Sequence, residues 1–120
     1  MIKKLIAGFG YAIKGIVVAL RTQRNMRIHF VAILVVTVTG ILLDLNAAEW
    51  AIIALTIGSV ITAEMMNTAI ELLVNMVSPE YNKEAGRVKD IAAGGVLLAA
   101  VIATVVAVYI FGNKIFDLLV

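Results

Sequence analysis

Apolar residues form four long stretches along this chain, separated by short polar segments. In the first stretch, from Ile2 to Leu20, they recur at helical spacing, and lysines and arginines interrupt the stripe. An amphipathic helix in the membrane interface fits this pattern, because its basic side chains can reach lipid headgroups. We therefore predict a surface helix over about residues 2–24.

The other three stretches are nearly uncharged and long enough to cross a bilayer. A membrane-crossing helix needs about 20 apolar residues, and the chain has such segments at about 28–45, 50–77 and 91–111. Pro79 follows the second segment, where proline cannot continue a helix. The predicted fold is all-α, with one amphipathic interfacial helix and three transmembrane helices in a single domain.

The polar segments between these stretches are predicted to be turns and loops. Residues 44–49 form a short turn, and residues 78–90 are predicted as a loop or a short surface helix. Asp90 is a candidate cap for the third transmembrane helix. Residues 112–114, a Gly-Asn-Lys sequence, are predicted to close that helix.

Composition supports a membrane protein. The 120 residues are 62% hydrophobic and 15% charged, with a mean hydropathy of +1.05. An ordinary soluble domain is about 45–50% apolar and about 25% charged, and a small soluble fold cannot hide so much apolar surface. The chain has no cysteine, which excludes disulfides and thiolate chemistry.

The basic residues predict the orientation of the helices. Six of the ten lysines and arginines precede the first span, and three more lie in residues 78–90. Cytoplasmic segments carry such an excess, so we expect the N-terminus and residues 78–90 on the cytoplasmic side of the cell inner membrane. A basic amphipathic helix also suits anionic lipid better than nucleic acid.

Four polar residues interrupt the second span at helical spacing: Glu64, Asn67, Glu71 and Asn75. At about 100° per residue these side chains project from one side of the helix. An ionisable group in a membrane costs several kcal/mol, so such groups usually face a protein interior and serve a function. Polar residues can also simply hold helices together, but two glutamates are an expensive means of doing so.

The two glutamates are predicted to lie at different depths. If the helix leaves the bilayer near Val77, Glu71 lies at headgroup level and Glu64 about 10 Å deeper, from a rise of about 1.5 Å per residue. A shallow carboxylate can meet a hydrated cation or a phosphate, whereas a deep one meets only molecules already in the membrane. This arrangement favours chemistry between a water-soluble reagent and a lipid headgroup.

Three other residues have simpler explanations. Arg87 and Lys89 could pair with phosphate, but the positive-inside rule already explains basic residues in this segment. His29, the single histidine, is interpreted as a headgroup-level anchor rather than a catalyst. Neither a phosphate-binding glycine loop nor a zinc-binding spacing is present.

Four short motifs stand out along the chain: Glu64-Met-Met-Asn67-Thr-Ala-Ile-Glu71, Arg87-Val-Lys89-Asp90, Gly10-Tyr11-x-x-Lys14-Gly15 and Asn25-x-Arg27-x-His29. Together they closely resemble the prokaryotic diacylglycerol kinase and undecaprenol kinase family, to which the first motif is highly specific. The resemblance spans nearly the whole chain. The Asn-x-Arg-x-His element looks more like the undecaprenol kinase branch.

This resemblance implies a homotrimeric membrane kinase that moves the γ-phosphate of MgATP to the hydroxyl of diacylglycerol or undecaprenol. It implies Glu64 as the catalytic base, Asn67 as its support, and Glu71 as a ligand of Mg²⁺. The lipid would bind between the surface helix and the spans, and its implied contacts are Lys4, Asn25 and Glu64. The implied ATP-binding residues are Lys4, Tyr11, Gln23, Glu71, Glu80, Tyr81, Asn82, Lys89 and Asp90.

Two positions depart from the family pattern. Gln23 stands where the family usually has a second metal-binding glutamate, and a neutral amide is a poorer Mg²⁺ ligand than a carboxylate. Asn75 stands where an aspartate is common. Gln23 is therefore the second candidate metal ligand beside Glu71, with a weaker hold on the ion.

Two other functional classes account for part of the pattern. A small oligomeric transporter or channel subunit could line a pore with the polar stripe, but residues 51–59 are apolar apart from Thr56 and Ser59 at the end. A purely structural subunit leaves the intramembrane glutamates and the Lys89-Asp90 pair unexplained. Because three helices cannot easily surround two acids, a metal and a nucleotide, we expect neighbouring chains to share a site.

Overall fold

The computed structural model describes all 120 residues as four helices joined by short connections. Helix α1 spans Ile2–Thr22, α2 spans Arg24–Leu42, α3 spans Ala47–Val77, and α4 spans Lys83–Leu119. All four are long and apolar enough to cross a membrane, by length and composition. The chain is an all-helical protein of the multi-pass membrane type.

A single extended residue, Gln23, separates α1 from α2. Its backbone N–H still donates to the Ala19 carbonyl at 2.8 Å, which continues the hydrogen-bonding pattern of α1 by one residue. Arg27 Nη1 donates to the Arg21 carbonyl at 3.0 Å and satisfies another acceptor at the same helix end. Ala19 and Met26, on either side of the break, are buried.

The turn between α2 and α3 is short and closely packed. Asp44 has a φ of 51°, a left-handed conformation that aspartate tolerates better than most residues. Asn46 then caps α3, because its side chain accepts from the Glu49 N–H at 3.0 Å while the Glu49 carboxylate accepts from the Asn46 N–H at 2.8 Å. This reciprocal capping box starts α3, the helix with the most buried residues.

Helices α3 and α4 form the main packed pair. At the turn end, Leu45, Ile53 and Ile110 make a small buried cluster. Gly40 on α2 is also buried there, and a Cβ atom at this position would lie 2.6 Å from Trp50 Cη2. A glycine is therefore needed for α2 to approach the tryptophan of α3.

Most of the apolar surface remains uncovered by the chain itself. Ten of the 120 residues are buried, six of them hydrophobic. In a membrane, lipid tails or other helices cover such a surface, and both keep it away from water.

The structure corrects the predicted ends of the last helix. Residues 78–90 are not a single loop, since α4 begins at Lys83. Asn82 is the cap, and its Oδ1 accepts from the N–H groups of Glu84 and Ala85 at 2.9 and 3.2 Å. Asp90 lies within the helix and caps nothing. Residues 112–114 do not close α4, which continues to Leu119 because glycine costs only about 1 kcal/mol inside a helix.

Candidate functional site

The centre of the candidate site is Glu64, which lies in α3 and has a side chain only 2% exposed. Its backbone carbonyl accepts from Thr68 Oγ1 at 2.9 Å. Its carboxylate oxygen Oε2 is buried and has no hydrogen-bond partner. Burying an unpaired carboxylate is costly, so this acid is a strong indication of a site rather than of packing.

Glu64 opens onto a cavity of about 280 Å³ between α2, α3 and α4. Four of its lining residues are polar and the others are aliphatic. The lining consists of Asn25, Ile28, His29, Glu64, Asn67, Ala93, Val96, Leu97 and Ala100. A small polar group and an attached apolar segment could both be accommodated in such a space.

Asn67 lies between Glu64 and Glu71 along α3. It is buried one turn from Glu64 and lines the same cavity. Its Nδ2 donates to Glu71 Oε1 at 3.3 Å, and its own Oδ1 is buried without a partner. Glu64, Asn67 and Glu71 therefore form one polar face of α3, as the spacing predicts.

His29 also lines this cavity, a location that its interpretation as a headgroup-level anchor did not predict. Its Nε2 lies 3.9 Å from Glu64 Oε2, and its side chain is 21% exposed. The available signal was the spacing of Asn25 and His29, four residues apart on α2, which places both on one helical face. The packing of α2 against α3 then brings that face onto Glu64.

His29 also borders a second, apolar cavity of about 400 Å³. Both cavities share His29 and Ala100, and most of the second is lined by aliphatic side chains of α2, α3 and α4. The polar cavity beside Glu64 thus adjoins an apolar space between the same helices.

Lys89 joins α4 to α3 at the end of α3 that carries Glu71. Its Nζ donates to Asn75 Oδ1 at 2.6 Å. No carboxylate lies within ion-pair distance of this ammonium group, so its charge is not neutralised by the chain. Lys89 is half-exposed, and a cation held in this way can attract an anion such as a phosphate.

The remaining predicted ATP-site residues do not line the cavity. Lys4 and Tyr11 are exposed on α1, and Tyr11 faces the Lys14 ammonium group at 5.7 Å from its ring centroid. Glu80 and Tyr81 are exposed in the connection between α3 and α4. One chain therefore brings together Asn25, Glu64 and Asn67 around the cavity but not these residues of the predicted ATP site.

Three further residues of the predicted ATP site also lie outside the cavity. Gln23 is half-buried at the break between α1 and α2, Asn82 caps α4, and Asp90 is exposed on that helix. No three His, Asp or Glu side chains cluster as a complete metal site. Mg²⁺ commonly uses one or two carboxylates together with water and substrate phosphates, and the position of Glu71 fits that smaller requirement.

Comparison with known proteins gives a consistent set of similarities. The family described as prokaryotic diacylglycerol kinase matches residues 10–111. The undecaprenol kinase of Bacillus subtilis is 36% identical over 114 residues, which are 95% of this chain and 93% of that protein. A diacylglycerol kinase of Escherichia coli strain K12 is 30% identical over 102 residues, 85% of this chain and 84% of that protein.

A longer relative matches as well. The diacylglycerol kinase of Synechocystis sp. is 44% identical over 104 residues, which are 85% of this chain but 59% of that protein. The family match over residues 10–111 includes every residue that lines the cavity around Glu64.

Proposed function

Because this chain belongs to the prokaryotic diacylglycerol kinase family and is a lipid kinase, we propose that it transfers the γ-phosphate of ATP to the hydroxyl of diacylglycerol or undecaprenol. The observation that carries the proposal is the buried, unpaired carboxylate of Glu64, which faces a cavity within the helical bundle. A deep acid of this kind suits a substrate that is itself embedded in the membrane.

Glu64 acts as the general base in this proposal. The lipid hydroxyl oxygen attacks the γ-phosphorus, its proton passes to the Glu64 carboxylate, and ADP leaves. Phosphoryl transfer depends mainly on positioning and on charge neutralisation, and a positioned carboxylate accepts the proton of the attacking hydroxyl. Asn67 supports the base from one turn away and Asn25 meets the lipid headgroup, both as lining residues of the same cavity.

Glu71 and Gln23 would hold Mg²⁺, which when bound neutralises charge on the ATP phosphates. The hydrogen bond from Asn67 Nδ2 to Glu71 Oε1 supports this assignment, because it orients the Glu71 carboxylate on the face of α3 that carries the base. Gln23 contributes a neutral oxygen, so Glu71 is the principal ligand from this chain.

Lys89 provides the positive charge for the nucleotide phosphates. Its ammonium group is held by Asn75 and not by a carboxylate, which supports the assignment. The other residues proposed to contact ATP are Lys4, Tyr11, Glu80, Tyr81, Asn82 and Asp90. Lys4 would also contact the lipid.

We further propose a homotrimer in the inner membrane, with α1 on the cytoplasmic surface and α2, α3 and α4 as its spans. The large uncovered apolar surface supports association with other chains. The exposure of Tyr11, Glu80 and Tyr81 supports a nucleotide site completed by a neighbouring chain. The excess of lysine and arginine at the N-terminus supports its cytoplasmic location.

The test is ATP turnover by the purified protein in lipid nanodiscs with a panel of lipid alcohols. We expect a phosphorylated product from diacylglycerol or undecaprenol, and we expect Glu64→Gln to lower kcat about 10²–10⁴-fold, the usual contribution of a general base. Glu49→Gln, at the other end of α3, is the matched control. Full activity of Glu64→Gln would show that Glu64 is not the base.

The transporter or channel alternative has no support among the relatives, all of which are named as kinases. Ion flux through liposomes containing the protein, measured without ATP, separates the two functions. A lipid kinase gives product without flux, whereas a channel subunit gives flux that needs no nucleotide.

A further inference from the structure

We propose that His29 is a positioning residue for Glu64, and that its Nε2–H holds the carboxylate in the orientation in which it accepts the lipid proton. The proposal rests on the proposed function of Glu64 as a base. It assigns a role in the reaction to the single histidine of the chain.

The geometry of the two side chains is the first argument. His29 Nε2 and Glu64 Oε2 are 3.9 Å apart, about 1 Å more than a direct N–H···O hydrogen bond. Catalytic hydrogen bonds are often long before substrate binds and shorten in the complex. A small rotation of either side chain is enough to close this gap.

The unsatisfied oxygen of Glu64 is the second argument. Oε2 is buried and has no partner, and a buried carboxylate oxygen requires a donor. His29 Nε2 is 3.9 Å from that oxygen. A neutral imidazole that carries its proton on Nε2 supplies the donor without adding a charge to the cavity.

The other polar groups of the cavity are poorer candidates for this role. Asn67 already donates from Nδ2 to Glu71, and its orphaned oxygen is an acceptor, which a carboxylate cannot satisfy. Asn25 lies one turn before His29 on α2 and is exposed. His29 is therefore the donor best placed to orient Glu64.

The position of the imidazole between the two cavities is the third argument. His29 lines both the polar cavity beside Glu64 and the adjoining apolar one. Its ring can therefore pack against aliphatic side chains while Nε2 faces the carboxylate. With Oε2 occupied by His29, the second carboxylate oxygen is left to receive the hydroxyl proton, the arrangement of a base held by an orienting group.

Kinetics with two substitutions separate hydrogen bonding from packing. His29→Gln keeps an N–H donor near the position of Nε2, whereas His29→Leu fills a similar space without one. We expect His29→Leu to lower kcat about 10- to 100-fold with little change in the KM for ATP, because a misaligned base forfeits part of the 10²–10⁴-fold that it supplies. We expect His29→Gln to recover most of that loss.

The pair of variants also has outcomes that overturn the proposal. Equal activities of His29→Leu and His29→Gln would show that the donor is not needed. A higher KM for the lipid with unchanged kcat would assign His29 to lipid binding alone. In a Glu64→Gln background, His29→Leu should have no further effect on the residual rate, and an additive loss would contradict action through Glu64.

A spectroscopic test needs no activity. Because the chain has one histidine, ¹⁵N-histidine labelling gives a single imidazole in nuclear magnetic resonance spectra of the protein in nanodiscs. We expect an Nε2-protonated tautomer whose Nε2 signal shifts in Glu64→Gln but not in Glu49→Gln. An Nε2 signal indifferent to Glu64→Gln would overturn the pairing even if the protein is an active kinase. The expected shift in a protein without lipid kinase activity would leave the pairing intact and contradict the proposed function instead.

Discussion

At each end of the α3–α4 pair, a lysine of α4 contacts another part of the chain, but the two lysines have different partners. At one end, Lys114 Nζ lies 3.2 Å from Glu49 Oε2 and donates to the Asp44 carbonyl at 3.2 Å. At the other, Lys89 Nζ donates to Asn75 Oδ1 at 2.6 Å. We call these the Lys114 end and the Lys89 end.

The two ends differ in what happens to the positive charge. At the Lys114 end a carboxylate neutralises the lysine, and the same carboxylate also completes the cap of α3. At the Lys89 end a neutral amide holds the lysine in place and leaves its charge available to an anion. The first arrangement stabilises a turn, and the second is suited to binding.

The largest expected effect is at the Lys89 end. Lys89→Met removes the charge that is proposed to meet the ATP phosphates, and we expect kcat/KM for ATP to fall about 100-fold, or about 2.7 kcal/mol. Steady-state kinetics with varied ATP measure the change. The melting temperature should stay within about 2 °C of the parent protein, because a partly exposed side chain contributes little to stability. Unchanged kinetics would remove Lys89 from the nucleotide site.

The next effect concerns packing near the Lys114 end. Gly40→Ala places a Cβ atom 2.6 Å from Trp50 Cη2 and 3.0 Å from Leu45 Cδ1. We expect a loss of about 2 kcal/mol in the free energy of unfolding, within the usual cost of overpacking a core. Thermal unfolding in detergent measures it. Gly112→Ala is the control, because nothing lies within 4 Å of a Cβ atom there, and a Gly40→Ala protein as stable as this control would contradict the close packing.

Removing the lysine of the Lys114 end should have a smaller effect, and on stability alone. Lys114→Met breaks the contacts to Glu49 and to the Asp44 carbonyl, and we expect the melting temperature to fall by a few degrees. The side chains of Lys114 and Glu49 are about one quarter exposed, so solvent weakens the pair. Lys114→Arg should retain most of the stability. A large fall in kcat with Lys114→Met would mean that this end also takes part in the reaction.

The smallest expected effect comes from making the Lys89 end resemble the Lys114 end. Asn75→Asp places a carboxylate beside Lys89 and neutralises part of its charge, so we expect the KM for ATP to rise about threefold, or about 0.7 kcal/mol. Added salt should reduce the difference, because screening weakens the new ion pair. A lower KM for ATP would show that the charge of Lys89 is not what binds the nucleotide.

Helical spacing alone was enough to predict much of this protein. The positions of Glu64, Asn67 and Glu71 on one face of α3 follow from about 100° per residue, and the long apolar runs predict long helices. The same reasoning missed the true start of α4, because Asn82 is a good cap and the charged residues after it are compatible with a helix. It also missed the capping box of Asn46 and Glu49, a signal that was present at the usual three-residue spacing.

The sequence by itself determined the helices, their apolar character and the polar face of α3, since each depends on residues close together in the chain. Only the tertiary structure decided that His29 faces Glu64, that Lys89 reaches Asn75 and that Lys114 reaches Glu49. These pairs are 35, 14 and 65 residues apart in the chain. Their contacts depend on how far each helix is rotated and shifted against its neighbour, and that follows from the packing of whole helical surfaces, which no local pattern specifies.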